Sequence, residues 1–174
     1  MSPRALAAAL LLIPAAPALA VDEGVWQLGA GPAFALLAEG TETTPGLGGR
    51  VEGRYGLTDA AALWAALGSS WHPRAASQAR ASTASAGFAL AFDVFQIVPF
   101  AEAGATVADL DTGPTRAGYL GFEAAGGAEY LLDRRWSAAA VVRFQYLPLK
   151  LGGAAAADKR PGLLTAGLCI RRSF

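Results

Sequence analysis

From Trp136 to Leu147 the side chains alternate in character. Trp136, Ala138, Ala140, Val142, Phe144 and Tyr146 occupy one parity, and Ser137, Ala139, Val141, Arg143, Gln145 and Leu147 the other. A period of two is the pattern of a β-strand, whose successive side chains point to opposite faces. It recurs along the chain, interrupted by clusters of Gly, Pro, Thr, Ser and Asp. The segments are 24–38, 47–56, 60–71, 83–93, 98–107, 117–130, 136–147 and 163–174. The links at 57–59, 94–97 and 131–135 are short, whereas 39–46, 72–82, 108–116 and 148–162 are longer. Eight strands joined by alternately short and longer links predict an all-β fold, an antiparallel up-and-down barrel.

The faces decide which solvent such a barrel meets. Ten charged residues fall inside these segments. Arg50, Glu52, Arg54, Asp93, Glu102, Glu123, Glu129, Arg143 and Arg171 share the face opposite the larger apolar side chains, and only Arg172 lies on the apolar face. A soluble barrel has the reverse arrangement, with charge outside and apolar side chains inside. The pattern therefore predicts an eight-stranded transmembrane β-barrel with a charged lumen. Trp26, Tyr55, Phe92, Tyr130, Trp136 and Phe174 fall on the apolar face near one rim, and Trp71 and Tyr146 near the other. Rings with one polar edge favour the headgroup level of a bilayer.

The chain opens with a short basic start at Arg4, an apolar run from Ala5 to Ile13, and Ala18-Leu19-Ala20. This order is that of a secretory signal peptide over 1–20, cut near Ala20 to leave 21–174 as the barrel domain. The apolar run falls short of the ~20 residues a spanning helix needs. Loss of Arg4 takes the 14 basic residues to 13 against 14 acidic ones. Near-zero net charge offers no clustered basic face for nucleic acid and argues against docking on an anionic surface. The single Cys169 permits no internal disulfide, and one His leaves few ligands for a metal. No cofactor is expected.

The residues also resemble the small eight-stranded outer-membrane proteins of the OmpA and OmpX type. The likeness runs over the whole mature chain and rests on three stretches besides the signal peptide. They are the turn Tyr55-Gly56-Leu57-Thr58-Asp59, the strand opening Pro99-Phe100-Ala101-Glu102-Ala103-Gly104, and the last strand, Leu163 to Phe174. That strand is similar to the family's C-terminal assembly signal, with Ala166, Leu168, Ile170 and Phe174 on alternate positions. Arg172 departs from the pattern, which usually has an aromatic or apolar residue there. The resemblance implies a location in the outer membrane of a Gram-negative-type bacterium. The implied partners are its lipid and, during insertion, the barrel assembly machinery; the protein is expected to be a monomer.

Chemistry offers fewer leads. An eight-stranded barrel is just wide enough to be filled by its side chains, so charges inside it must pair. Such a network is read as a plug, with an ion or proton path as the alternative. His72, in Ser69-Ser70-Trp71-His72-Pro73, sits near the long-loop rim. Some barrels of this size are lipid A deacylases that use a His-x-Ser motif, but Arg74 stands where that serine would be. An enzyme would need Ser69, Ser70 or Ser77 within hydrogen-bond reach of His72. The expected role is structural or surface-interacting, without catalysis. The alternatives are a narrow conduit for small or apolar solutes and, behind it, a lipid-modifying enzyme at the outer rim.

Overall fold

The computed structural model describes residues 23–74, 78–92, 96–113, 115–153 and 160–174. The region 1–20 and the lumen candidate Asp93 lie outside them. Eight strands follow in order: β1 (Trp26–Glu39), β2 (Glu42–Gly56), β3 (Ala61–Pro73), β4 (Gln78–Ala91), β5 (Ile97–Asp111), β6 (Arg116–Leu131), β7 (Trp136–Gly153) and β8 (Gly162–Ser173). Each pairs antiparallel with its neighbours in the chain, and β8 returns to β1, closing the barrel. Closure leaves no sheet edge, so every strand finds backbone partners on both sides. A sheet can cross hydrocarbon only on that condition.

The short turns are found close to their expected places, at 57–60, 92–96 and 132–135. Side chains fix two of them. Thr58 Oγ1 accepts the amides of Ala60 and Ala61 at 3.2 and 3.0 Å. Asp133 Oδ1 accepts those of Arg135 and Trp136 at 2.6 and 2.9 Å.

The other rim differs from the expectation. Segments 39–46, 72–82 and 108–116 are mostly strand, and β7 runs on through 148–153, so the connections shrink to 40–41, 74–77, 112–115 and 154–161. Beyond the apolar band the outer face turns polar while the inner face keeps the buried Ala79, Ala81, Ala108, Leu110 and Ala117, so the sense of the alternation reverses while the backbone ladder continues. Glu39 still pairs with Glu42, and Asp111 with Arg116. The two-residue turn at 40–41 depends on Gly40, whose φ of 68° lies in the left-handed region that glycine adopts cheaply.

The outer wall is apolar. On β4 it shows Phe92, Leu90, Phe88, Ala86, Ala84 and Ser82 before Arg80. From Phe92 to Ser82 that face spans roughly 25 Å at the usual strand tilt, the height of the lipid-facing band of such barrels. Above it the outer face turns charged, with Arg116 bonded to Asp109 at 2.6 Å and Arg80 paired in register with Asp111. Trp26, Phe92, Tyr130, Trp136 and Phe174 ring the terminal rim, and Trp71 and Tyr146 stand on the opposite side of the band.

Candidate functional site

The inner wall is built in layers. Toward the hairpin rim it is apolar: Leu37, Leu110, Tyr119, Leu147 and Leu163 pack with small Ala side chains. A second apolar cluster, with Trp64, Val98, Phe100, Val141 and Cys169, lies toward the terminal rim. Four arginines and four glutamates converge among these layers. They arrive by period two from five strands: Arg50, Glu52 and Arg54 on β2, Glu102 on β5, Glu123 and Glu129 on β6, Arg143 on β7 and Arg171 on β8.

Each carboxylate meets more than one guanidinium. Glu123 accepts from Arg50 at 2.7 and 3.3 Å, and from Gln145 and Ser85 at 2.6 Å each. Arg143 bridges Glu52 at 2.5 Å and Glu102 at 3.0 Å. Arg54 pairs with Glu102, and lies 3.6 Å from Glu129. Arg171 joins Glu129 and reaches Glu52 at 2.7 Å. Ser137 also donates to Glu129. Charges taken out of water are tolerable when paired and hydrogen-bonded this way.

Two rings support the guanidinium groups. Arg50 lies over Trp64, 5.3 Å from its centroid, while Arg54 and Arg171 lie over Phe100 at 4.6 and 4.9 Å. The quadrupole of a ring face attracts cations, more strongly when water is excluded. A Cβ at Gly127 would come within 2.8 Å of the Phe100 ring, so a glycine there makes room for the stack. Cys169 packs inside, with its thiol 3.7 Å from Glu52.

Sequence reasoning from charge alone passed over Trp64, Phe100, Ser85 and Thr106. Their parity was the available signal, since each sits on the charged face of its strand. Ser85, whose hydroxyl hydrogen goes to Glu123, accepts from the Thr106 hydroxyl at 2.9 Å.

His72 is placed differently from the sequence expectation. It belongs to β3, not to a rim loop, and is 0% exposed on the inner wall. Ser70, two residues back on the same face, is 2.9 Å from Nε2, and the Thr44 carbonyl is 3.0 Å from Nδ1. With Nδ1 donating to that carbonyl, a neutral ring leaves Nε2 to accept the Ser70 hydroxyl. The pair has the contact a nucleophile and base require, but a carbonyl stands where an orienting carboxylate would assist. Ser70 is only 5% exposed, so both groups are closed off from lipid. Ser69 faces outward and receives a bond from Arg80 at 3.2 Å, and Ser77 lies outside the described residues. Among the described residues no group of His, Cys, Asp or Glu is arranged to hold a metal ion.

The same architecture occurs in solved structures. Neisserial surface protein A matches with a TM-score of 0.67 at 18% identity, over 84% of this chain and 98% of its own. Ail, the attachment invasion locus protein of Yersinia pestis, matches at 0.52 and 12% identity, over 86% of this chain and 99% of its own. The N-terminal β-barrel domain of Pseudomonas aeruginosa OprF matches at 0.51 and 16%, over 87% and 98%. The chain has the fold of a small eight-stranded outer-membrane barrel. At such identities the likeness is one of fold, which many unrelated roles share. No family model and no curated protein matches the sequence.

Proposed function

We propose that this protein is an integral outer-membrane barrel with a structural or surface-interaction role in the cell envelope, without catalysis. One observation carries the reading: the outer wall is apolar through its middle, and the charged side chains of that level are paired inside. The network then acts as a plug that ties five strands together across the lumen. Contacts outside the cell fall to the hairpins that rise beyond the apolar band, where Trp71, Arg80, Asp109 and Arg116 stand on the outer face. Two similar barrels bear names in keeping with this, an attachment invasion locus protein and a surface protein.

The same reading includes removal of 1–20 before insertion, residence in lipid as a monomer, and recognition of Leu168, Ile170 and Phe174 by the assembly machinery. All three side chains are exposed on the outer face or end of β8, where another protein can reach them before lipid does. Nucleic acid has no place in it.

The test is fractionation followed by planar-bilayer recording of the purified protein. Outer-membrane recovery, a mature mass beginning at Val21 and silence in the bilayer are the expected results. Recovery from the soluble periplasm would refute the membrane assignment. Steady conductance that changes on replacing Glu52 or Arg143 would replace the plug with the conduit.

A further inference from the structure

Three arginines gather at the terminal rim where no acid meets them. Arg134 and Arg135 lie in the turn between β6 and β7, and Arg172 ends the outer face of β8. With Gln27, Ser173 and Phe174 they line a recess of about 460 Å³. Among the described residues no carboxylate pairs with any of the three. Asp133, the acid of the same turn, is engaged with the amides of Arg135 and Trp136. The Phe174 α-carboxylate adds at most one negative charge against three positive. Near-zero net charge of the whole chain conceals this local excess.

Arg172 also belongs to a second feature. It stands at the lower end of an apolar groove of about 860 Å³ on the lipid face. Small residues, Ala30, Gly53, Ala65 and Ala84, form the floor across β1 to β4, between flanks that include Leu67 and Ile170. The Arg172 guanidinium is held between the two features by its stacks on Trp136 and Phe174, at 5.5 and 4.9 Å. A cationic recess at headgroup level, continuous with an apolar groove at acyl level, has the chemistry of one amphiphile.

We propose that this face seats an anionic diacyl phospholipid of the leaflet at the terminal rim. Its phosphate would bond to Arg134, Arg135 and Arg172, and one acyl chain would lie along Ala30, Gly53, Ala65 and Ala84. Arginine suits the phosphate because its planar donors match the oxygens in pairs. The groove suits the chain because small side chains let methylenes touch the wall. The inference rests on the membrane reading above and adds a lipid class and a place to it.

Native mass spectrometry of the full barrel tests it. The protein is released from micelles doped in separate arms with dioleoyl phosphatidylglycerol, dioleoyl phosphatidylcholine or glycerol phosphate. Phosphatidylglycerol should be retained on the order of fivefold more than phosphatidylcholine, as a basic cluster near an anionic headgroup implies. Replacing Arg134, Arg135 and Arg172 together with glutamine should erase that preference. Gly53→Phe should lower retention of both lipids. A Cβ at Gly53 makes only ordinary contacts, with Leu28 at 3.5 Å and the Gln27 carbonyl at 3.9 Å. Should the Arg172 change disturb β8, the turn variant Arg134→Gln/Arg135→Gln must still reduce the preference by about half. Equal retention of the two lipids, or a preference that survives the triple change, overturns the headgroup site. Glycerol phosphate held as firmly as phosphatidylglycerol overturns the groove. Heat-modifiable migration on gels separates the failures. A barrel that folds in micelles but shows no preference refutes this inference alone, whereas a chain that never enters them refutes the membrane reading.

Discussion

At the scale of single residues the lumen charges should matter most. Glu52 faces Arg143 at 2.5 Å and Arg171 at 2.7 Å. Truncating one partner of a buried pair leaves the others uncompensated, so Glu52→Ala should cost about 3–5 kcal/mol of folding free energy in bilayers. Arg116→Ala, which removes an exposed, solvent-screened ion pair with Asp109, should cost far less. Urea titrations of folding into vesicles measure both, and equal losses would contradict the plug. His72→Ala and Ser70→Ala should leave lipid A acylation unchanged in cells that overproduce the protein. Mass spectrometry showing an acyl change that needs either residue would establish an enzyme. Alternation in the sequence tells which face a charge takes, but not its partner. Arg50 and Glu123 are 73 residues apart, and only the tilt and register of β2 and β6 bring them together. The Ser70–His72 contact was nearer to hand, since residues two apart on a strand share a face. It was obscured because His72 stands beside Pro73 in a stretch with the composition of a loop.

At the scale of elements, β7 gives the clearest contrast. Val142 is 54% exposed on the lipid face and Val141 6% exposed toward the lumen. An arginine at the lipid-facing midplane costs roughly 2–4 kcal/mol in such barrels. Val142→Arg should therefore impair folding into lipid far more than Val141→Ser, whose hydroxyl has polar neighbours inside. The swapped pair, Val141→Arg and Val142→Ser, separates side-chain bulk from charge. An arginine tolerated better at 142 than at 141 would mean that β7 faces the other way. Deleting Phe174 should lower the amount of folded protein in the outer membrane, as quantitative blotting of fractions would show. Normal levels would contradict the part assigned to this ring in assembly. The eight strands were legible because the apolar band imposes a strict period of two. The extents of β2, β4, β5 and β7 were not, because past that band the outer face turns polar, as at Arg80 and Asp109, while the inner Ala79, Ala81, Ala108 and Leu110 stay apolar, which reverses the pattern that marks the strands lower down.

At the scale of the whole molecule the barrel is inverted, with lipid outside and its charges paired inside between apolar layers. Its four tryptophans test this together. Trp26, Trp71 and Trp136 are exposed on the outer wall, whereas Trp64 is buried inside, its indole donating to the Phe88 carbonyl at 3.0 Å. Four proteins, each keeping one tryptophan and carrying phenylalanine at the other three sites, can be folded into bilayers of brominated phosphatidylcholine. Bromine quenches indole fluorescence only over short distances. Bromines near the headgroups should quench Trp26, Trp71 and Trp136 strongly, and Trp64 should be quenched weakly at every bromine depth. Quenching of Trp64 as strong as that of Trp71, or emission from all four that ignores the bromine, would contradict an inverted barrel.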